Sequence, residues 1–234
     1  MFSFSLIIHV VAGFVALFTL WMPLFFRKGS RRHRFTGWIF TISMFIISGT
    51  SVHLALYRIW FDPTVTIEQF SFSIFLIFIA ILSFSTAMYG LRVLRFKNHR
   101  GKHRHGIDWL IPAVLFMSAI IMSVYGFMVA DSLLTWFPLL GVFLALSQLT
   151  YWWRQPRFRK SWVVEHLSGM LSCGIATVTA FVVFGAPQMF ALDEAPIWLW
   201  FTPAIVITPL ISYFSIKEKR KWRKRGKIDK TKPV

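Results

Sequence analysis

Residues 27–60 read RKGSRRHRFTGWIFTISMFIISGTSVHLALYRIW, a basic segment followed by a long apolar run. The run from 36 to 60 contains one charged residue, Arg58, close to its far end. A helix of this length crosses about 30 Å of hydrocarbon at about 1.5 Å per residue. The stretch therefore predicts a transmembrane helix that starts at a basic membrane boundary.

Long apolar runs of this kind recur along the chain. Of the 234 residues, 56% are hydrophobic and 15% are charged, whereas about 25% are charged in a typical soluble domain. This composition excludes a soluble enzyme and a disordered protein, and the single cysteine, Cys173, excludes a disulfide scaffold. We predict one all-α integral membrane domain, residues 1–216, followed by a basic tail, 217–234. Its seven transmembrane helices are predicted at residues 3–26, 36–60, 70–94, 108–129, 132–153, 162–185 and 196–216.

The distribution of Lys and Arg predicts the topology. The segments 27–34, 92–104 and 154–160, together with the tail, contain 25 of the 26 basic residues. All four segments fall on one side of the membrane if the chain crosses seven times, and positive segments stay in the cytoplasm. We therefore expect the N-terminus outside and the C-terminus in the cytoplasm. The basic loops and tail are expected to face anionic lipid headgroups, so the net charge of +17 requires no nucleic-acid partner.

Two histidines at matching depth suggest a cofactor site near the outer face. His9 and His53 each lie about 8–11 Å inside the predicted outer ends of the first two helices. Haem iron takes axial His ligands, Arg58 is placed to pair with a propionate, and Gly13 and Gly49 leave room for a flat macrocycle. The alternatives for this pair are hydrogen bonds between helices, a proton relay or a ligand contact.

A second polar group is predicted at the cytoplasmic ends of the helices. It consists of His33, His105, Asp108, Glu165 and His166. Met170 lies four residues after His166, on the same helix face and one turn deeper. With the outer pair, this group gives the two histidine layers that a haem protein carrying electrons across a membrane requires. Loop histidines can also be simply interfacial. We expect His33, Glu165 and His166 to approach one another, and a separation of His33 and His166 above about 15 Å would exclude a shared site.

Patterns in both halves of the chain resemble a known bacterial family. They are HVVAG at 9–13, KG at 28–29, HR at 33–34 with Gly37, EH at 165–166 with Met170, ATVTAF at 176–181, Pro203, and TP at 208–209. Together they resemble the membrane-protein family known as domain of unknown function 2306, over about half of the chain. The resemblance implies a multi-pass protein of the bacterial inner membrane and gives weight to His9, His33 and His166. It implies no established reaction, ligand or substrate.

Two classes of function are consistent with these features. The first is a non-enzymatic membrane protein that transports a small solute or ion, senses a signal or serves as an accessory subunit. The second is a haem-binding transmembrane redox protein with histidine ligands at both faces. No Ser/His/Asp set, zinc-ligand spacing or phosphate-binding loop is visible, so no catalytic residue is predicted. A transporter is expected to contain internal repeats, and the chain shows no convincing repeat. Visible absorption of the purified protein distinguishes the two classes.

Overall fold

Each predicted apolar run is helical in the computed structural model. The structure describes residues 2–97, 103, 105–154, 160–190 and 196–230 and, of 222–230, the backbone alone. The helices are α1 Phe2–Phe25, α2 Arg31–Phe61, α3 Ile67–Arg95, α4 Gly106–Met128, α5 Ser132–Trp136, α6 Pro138–Trp153, α7 Ser161–Ala180, α8 Ala186–Phe190 and α9 Ile197–Lys230. In the described part of the chain, seven helical segments are long and apolar enough to cross a membrane. The predicted all-α bundle of seven transmembrane helices is therefore confirmed, and the protein is a multi-pass membrane protein.

Two of the spans are not single α-helices. The fifth span breaks at Phe137, and α6 begins with Pro138, whose missing N–H is tolerated in a first turn. In the sixth span a π-helical turn, Phe181–Gly185, joins α7 to α8 just before Pro187, which has no N–H for a helical hydrogen bond.

The helix of the seventh span continues well beyond the predicted end of that span. Residue 216 marks the end of the apolar run, but α9 extends to Lys230. Lys and Arg are good helix formers, so a basic composition does not end a helix. A change in hydropathy therefore locates the membrane boundary and not the helix terminus.

The central helix of the bundle is α3, which packs against α2, α4, α6 and α7. It approaches α7 closely, so that a Cβ atom added to Gly169 would lie 2.9 Å from the Cα atom of Gly90. Small residues allow this approach in membrane bundles, where van der Waals packing is a main source of helix association. The contact fixes α7 against the last two turns of α3.

Successive spans alternate in direction, so the basic connections collect at one end of the bundle. We call this the basic end. The C-termini of α1, α3 and α6 and the N-termini of α2, α4 and α7 lie there. Several described polar side chains with long-range partners lie at this end, and the site is built from them.

Candidate functional site

The turn between α1 and α2 fixes the position of His33. Gly29 has φ +79°, a left-handed conformation that glycine adopts readily, and Ser30 caps α2 by accepting a hydrogen bond from the His33 backbone N–H at 3.2 Å. The side-chain Nδ1 of His33 lies 3.1 Å from the carbonyl oxygen of Pro23, to which Lys28 Nζ also donates, at 3.0 Å. Because a carbonyl only accepts, Nδ1 carries the proton, and Nε2 is the unprotonated nitrogen of a neutral ring. Burial lowers the pKa of Lys28, and attraction by Glu218 partly opposes this effect.

The close contact between α3 and α7 fixes His166 in the same tautomer. His166 lies three residues before Gly169, on the face of α7 that meets α3. Its Nδ1 lies 2.8 Å from the carbonyl oxygen of Gly90 and therefore donates to it. Nε2 is again the acceptor nitrogen when the ring is neutral.

The structure brings the two histidines together. The ring centroids of His33 and His166 are 6.5 Å apart, with an angle of 69° between the ring planes, and both side chains are partly buried. The separation is far below the distance of about 15 Å above which a shared site is excluded. Each ring is held by a backbone carbonyl, so neither depends on a mobile side chain for its orientation.

Glu165 adds a carboxylate beside this pair. The buried phenol of Tyr89 donates to Glu165 Oε2 at 2.6 Å. Among the described residues, no Lys, Arg or His nitrogen lies within 4 Å of this carboxylate; Lys219 attracts it only from a longer range. We call His33, His166, Glu165 and Tyr89 the inner histidine site.

A second carboxylate at the basic end is in a different environment. Asp108 is 3% exposed and accepts two hydrogen bonds from Arg92, from Nε at 2.6 Å and from Nη2 at 2.8 Å. His103 Nε2 donates to the second oxygen, and the His103 ring stacks on Trp152 at a centroid distance of 4.3 Å. We call Arg92, His103 and Asp108 the Asp108 triad. It ties the end of α3 to the start of α4, and because its charges are matched its first role is structural.

The predicted inner cluster is thus two separate groups. His33, Glu165 and His166 belong to one, and Asp108 belongs to the other. His105 is exposed and packs against Phe96, with ring centroids 4.6 Å apart.

Sequence reasoning missed three members of these groups. Tyr89, Arg92 and His103 were not among the predicted site residues. One signal was available for Arg92 and Asp108, since they lie in the last turn of α3 and the first turn of α4, which the connecting loop must bring together. Nothing in the sequence distinguishes His103 from His105 as the partner of Asp108.

Met170 occupies the space left by the missing side chain of Gly90. A Cβ atom added to Gly90 would lie 3.3 Å from the backbone nitrogen of Met170 and closer still to its terminal methyl group. The side chain packs against the buried cluster around Ala87 and Cys173. Its position explains the close fit of α7 on α3, while its predicted role as a cofactor ligand stays a prediction.

The outer histidines have separate local partners. His9 is partly buried, and its Nδ1 lies 3.0 Å from Thr50 Oγ1, whose own hydroxyl donates to the Ile46 carbonyl at 2.7 Å. His9 is therefore the donor, in a hydrogen bond between α1 and α2. His53 is exposed and lies beside Tyr57, with ring centroids 6.4 Å apart.

The glycines near the outer pair leave open space. A Cβ atom at Gly13 or Gly49 would have no heavy atom within 4 Å other than those of its own helix backbone and chain neighbours. Arg58 lies one turn from Asp62 and attracts its carboxylate. Haem ligation by His9 and His53 stays a prediction.

Metal-ion chemistry has no ready-made ligand set in the described part of the chain, where no three His, Cys, Asp or Glu side chains come together. A haem with two axial histidines needs only two such side chains. The inner histidine site therefore offers two imidazole nitrogens, one carboxylate and one phenol.

Comparison with known proteins found no matching family model, no similar protein among those of curated function and no similar solved structure. The resemblance to domain of unknown function 2306 stays a prediction. The function has to be inferred from the geometry of the site itself.

Proposed function

We propose that this protein is a non-enzymatic transport protein that moves protons, alone or with a small solute or ion, through the inner histidine site. The observation that carries the proposal is the environment of the Glu165 carboxylate. This carboxylate lies in a membrane-spanning segment and its described hydrogen-bond partner is the neutral phenol of Tyr89. Ionisable groups at such positions are commonly proton relays or coupling sites, because an uncompensated charge there is costly.

A comparison within the molecule supports this reading. Asp108 receives hydrogen bonds from Arg92 and His103, so its charge is matched whenever it is ionised. From the described part of the chain, Glu165 receives one hydrogen bond, from a neutral donor. Two carboxylates at the same end of the bundle therefore have opposite environments, and the one without a charged partner is suited to gain and lose a proton.

The two imidazoles extend the path from Glu165. His166 is adjacent to Glu165 in the chain, and the ring of His33 is 6.5 Å from that of His166. Because both Nδ1 atoms are held by carbonyls, both Nε2 atoms are available to accept a proton. Protons would enter or leave at the basic end, where both rings lie.

We further propose the bacterial inner membrane as the location, with the basic end in the cytoplasm. The charge partition of the sequence supports this orientation. The basic segments and the extension of α9 would then face anionic lipid headgroups.

The test is proton flux through liposomes that contain the purified protein and a trapped pH-sensitive dye. With an imposed pH gradient, the protein should raise the flux above that of empty liposomes. Glu165→Gln keeps the size and the acceptor for Tyr89 but cannot ionise, so flux should fall at least about tenfold, in line with removing a positioned acid–base group. Glu68→Gln is the matched control, because Glu68 is exposed at the opposite end. A flux equal to that of empty liposomes, or an unchanged flux in Glu165→Gln, contradicts the proposal.

A second candidate function is haem-based electron transfer at the inner pair. Two imidazoles on opposite sides of one metal, each with a bond of about 2 Å, have ring centroids about 6.3 Å apart. The 6.5 Å between His33 and His166 is close to this value. Metal-binding histidines also commonly donate the other ring N–H to a backbone carbonyl, as both rings do here.

The haem candidate is tested by the visible spectrum of protein purified from haem-replete cells, oxidised and reduced. Haem at the inner pair requires absorption that is lost in His33→Ala and in His166→Ala and retained in His9→Ala. Loss in His9→Ala and His53→Ala alone would instead assign the haem to the outer pair. A colourless protein excludes both versions.

A further inference from the structure

Lys28 lies beside the inner histidine site and is held by the same carbonyl as one of its rings. Lys28 Nζ donates to the Pro23 carbonyl oxygen at 3.0 Å, and His33 Nδ1 donates to that oxygen at 3.1 Å. Two donors on one acceptor lie no more than about 6 Å apart. The Lys28 ammonium also acts electrostatically on the His166 ring. One positive charge is therefore held close to both imidazoles.

The charged groups around the site are more often basic than acidic. Lys97 follows α3, and its Nζ lies 5.0 Å from the centre of the Trp162 ring, in the first turn of α7. The charged groups that act on the site or form part of it include three lysines and two glutamates, Lys28, Lys97, Lys219, Glu165 and Glu218. With neutral rings the excess charge of this set is positive, and a cleft with an excess of one sign attracts ions of the other. The site therefore favours an anion over a cation.

The tautomer of the two rings links an anion to a proton. Because each Nδ1 donates to a carbonyl, Nε2 of a neutral ring presents a lone pair, which repels an anion. A proton on Nε2 replaces this lone pair with a charged donor. The rings of His33 and His166 are 6.5 Å apart, and two like charges at this distance repel each other, so one proton serves the pair. An anion is accepted when one of the two rings has bound a proton.

We propose that the inner histidine site binds a small monovalent oxyanion, of the carboxylate or nitrate type, together with one proton. The inference rests on the proposed function and names the solute that moves with the proton. The proton comes from water and is held on Nε2 of His33 or His166, which donates to one oxygen of the anion, while the Lys28 ammonium supplies the second positive charge. Anion and proton together carry no net charge, so a membrane potential does not oppose their movement.

The experiment measures proton flux in liposomes of zwitterionic phospholipid that contain the full-length protein and a trapped pH-sensitive dye. Nitrate is the probe, because it is the anion of a strong acid and stays ionised at every pH used. A pH gradient is imposed in potassium nitrate or in the potassium salt of a bulky sulfonate. Without an ionophore, the flux above that of empty liposomes should be at least about tenfold higher in nitrate, since nitrate compensates the charge of the proton.

A potassium ionophore separates this inference from the proposed function. A flux that requires valinomycin and is equal in the two salts would overturn the anion and leave proton transport standing. No flux above that of empty liposomes in either salt, with or without valinomycin, would contradict both.

Nitrate binding to the protein in zwitterionic nanodiscs, measured by calorimetry, tests the residues. Binding should tighten as the pH falls, because the proton and the anion bind together. Lys28→Gln keeps a donor for the Pro23 carbonyl and removes the charge, so affinity should fall about two- to fivefold with its pH dependence kept. Replacement of both His33 and His166 by Gln should remove most of the pH dependence.

Arg31→Gln is the matched control for Lys28→Gln, because it removes one exposed positive charge from the first turn of α2. It should bind nitrate as the unmodified chain does, and all variants should keep their helical content. Equal losses in Lys28→Gln and Arg31→Gln would assign the binding to general surface charge and overturn the proposal. So would a pH dependence that survives the double histidine replacement, or a co-purified anionic phospholipid that nitrate does not displace.

Discussion

Replacement of Gly169 by Ala tests the contact on which the inner histidine site rests. The added Cβ atom would lie 2.9 Å from Gly90 Cα, 3.0 Å from Gly90 N and 3.2 Å from Tyr89 Cδ1. Two of these three neighbours are backbone atoms of α3, which cannot rotate away. Carbon atoms prefer separations of about 3.5–4.0 Å, so α7 would have to move by at least about 0.6 Å.

The expected cost follows from this displacement. Overpacking of a closely packed contact costs about 1–3 kcal/mol, while Gly to Ala in a helix gains up to about 1 kcal/mol. We expect a net loss of about 0–3 kcal/mol in the free energy of unfolding. Gly13→Ala is the control, because no atom of another helix lies within 4 Å of its Cβ position, and it should gain up to about 1 kcal/mol. The two variants should therefore differ by about 1–3 kcal/mol.

Stability is measured by denaturant unfolding in one detergent, followed by far-ultraviolet circular dichroism. Function is measured separately, as proton flux in liposomes. Gly169→Ala should lose flux even where it remains folded, because a shift of α7 lengthens both the His166–Gly90 and the Tyr89–Glu165 hydrogen bonds, 2.8 Å and 2.6 Å in the native chain. A Gly169→Ala variant as stable as Gly13→Ala would show that the helices do not approach as closely as described. The reasoning would then be wrong at its first step.

Three further predictions concern other parts of the chain. Arg92→Met should lower the free energy of unfolding by about 3–5 kcal/mol, because it leaves the buried Asp108 carboxylate without its guanidinium, and a loss below about 1 kcal/mol would contradict a buried ion pair. Thr50→Val keeps the shape of the side chain and removes the hydrogen-bond acceptor for His9, so the free energy of unfolding should fall by about 0.6 kcal/mol. An unchanged free energy of unfolding would mean that this hydrogen bond between α1 and α2 is not formed in the membrane. A reporter fused to the C-terminus should behave as cytoplasmic and one inserted at residues 62–66 as external, and finding both on one side would refute the topology.

The fold could be predicted because bilayer thickness sets the length of each apolar run, and the basic segments mark which ends of the runs lie on the same side of the membrane. The same two constraints placed His33 and Glu165–His166 at one end, which is why their proximity followed from the sequence. The rotation of each helix about its own axis was harder to predict. In a membrane bundle lipid-facing and buried faces are both apolar, so hydropathy does not reveal which face meets a neighbour. The partnership of Tyr89 with Glu165 depends on this rotation.

The positions of the helix ends depend on backbone hydrogen bonding and on proline, and not on hydropathy alone. Hydropathy ended the seventh span at residue 216, but backbone hydrogen bonds continue the helix through Lys and Arg to Lys230. The break at Phe137–Pro138 and the π-helical turn before Pro187 arise from the missing N–H of proline. Proline positions can be read from a sequence, but whether each one kinks, ends or merely begins a helix depends on the neighbouring helices that can satisfy the freed carbonyls.

One substitution separates the two functions proposed for the inner histidine site. A proton path needs Glu165 to ionise, so Glu165→Gln should stop flux, and adding His166→Ala should cost little more, because members of one relay act as a unit. Haem ligation needs Nε2 of His33 and His166 and the two carbonyls that hold Nδ1, none of which belongs to Glu165. A redox protein with Glu165→Gln should therefore keep its visible absorption bands. Absorption kept together with unchanged flux would assign the site to haem, and a colourless protein that loses flux would assign it to protons.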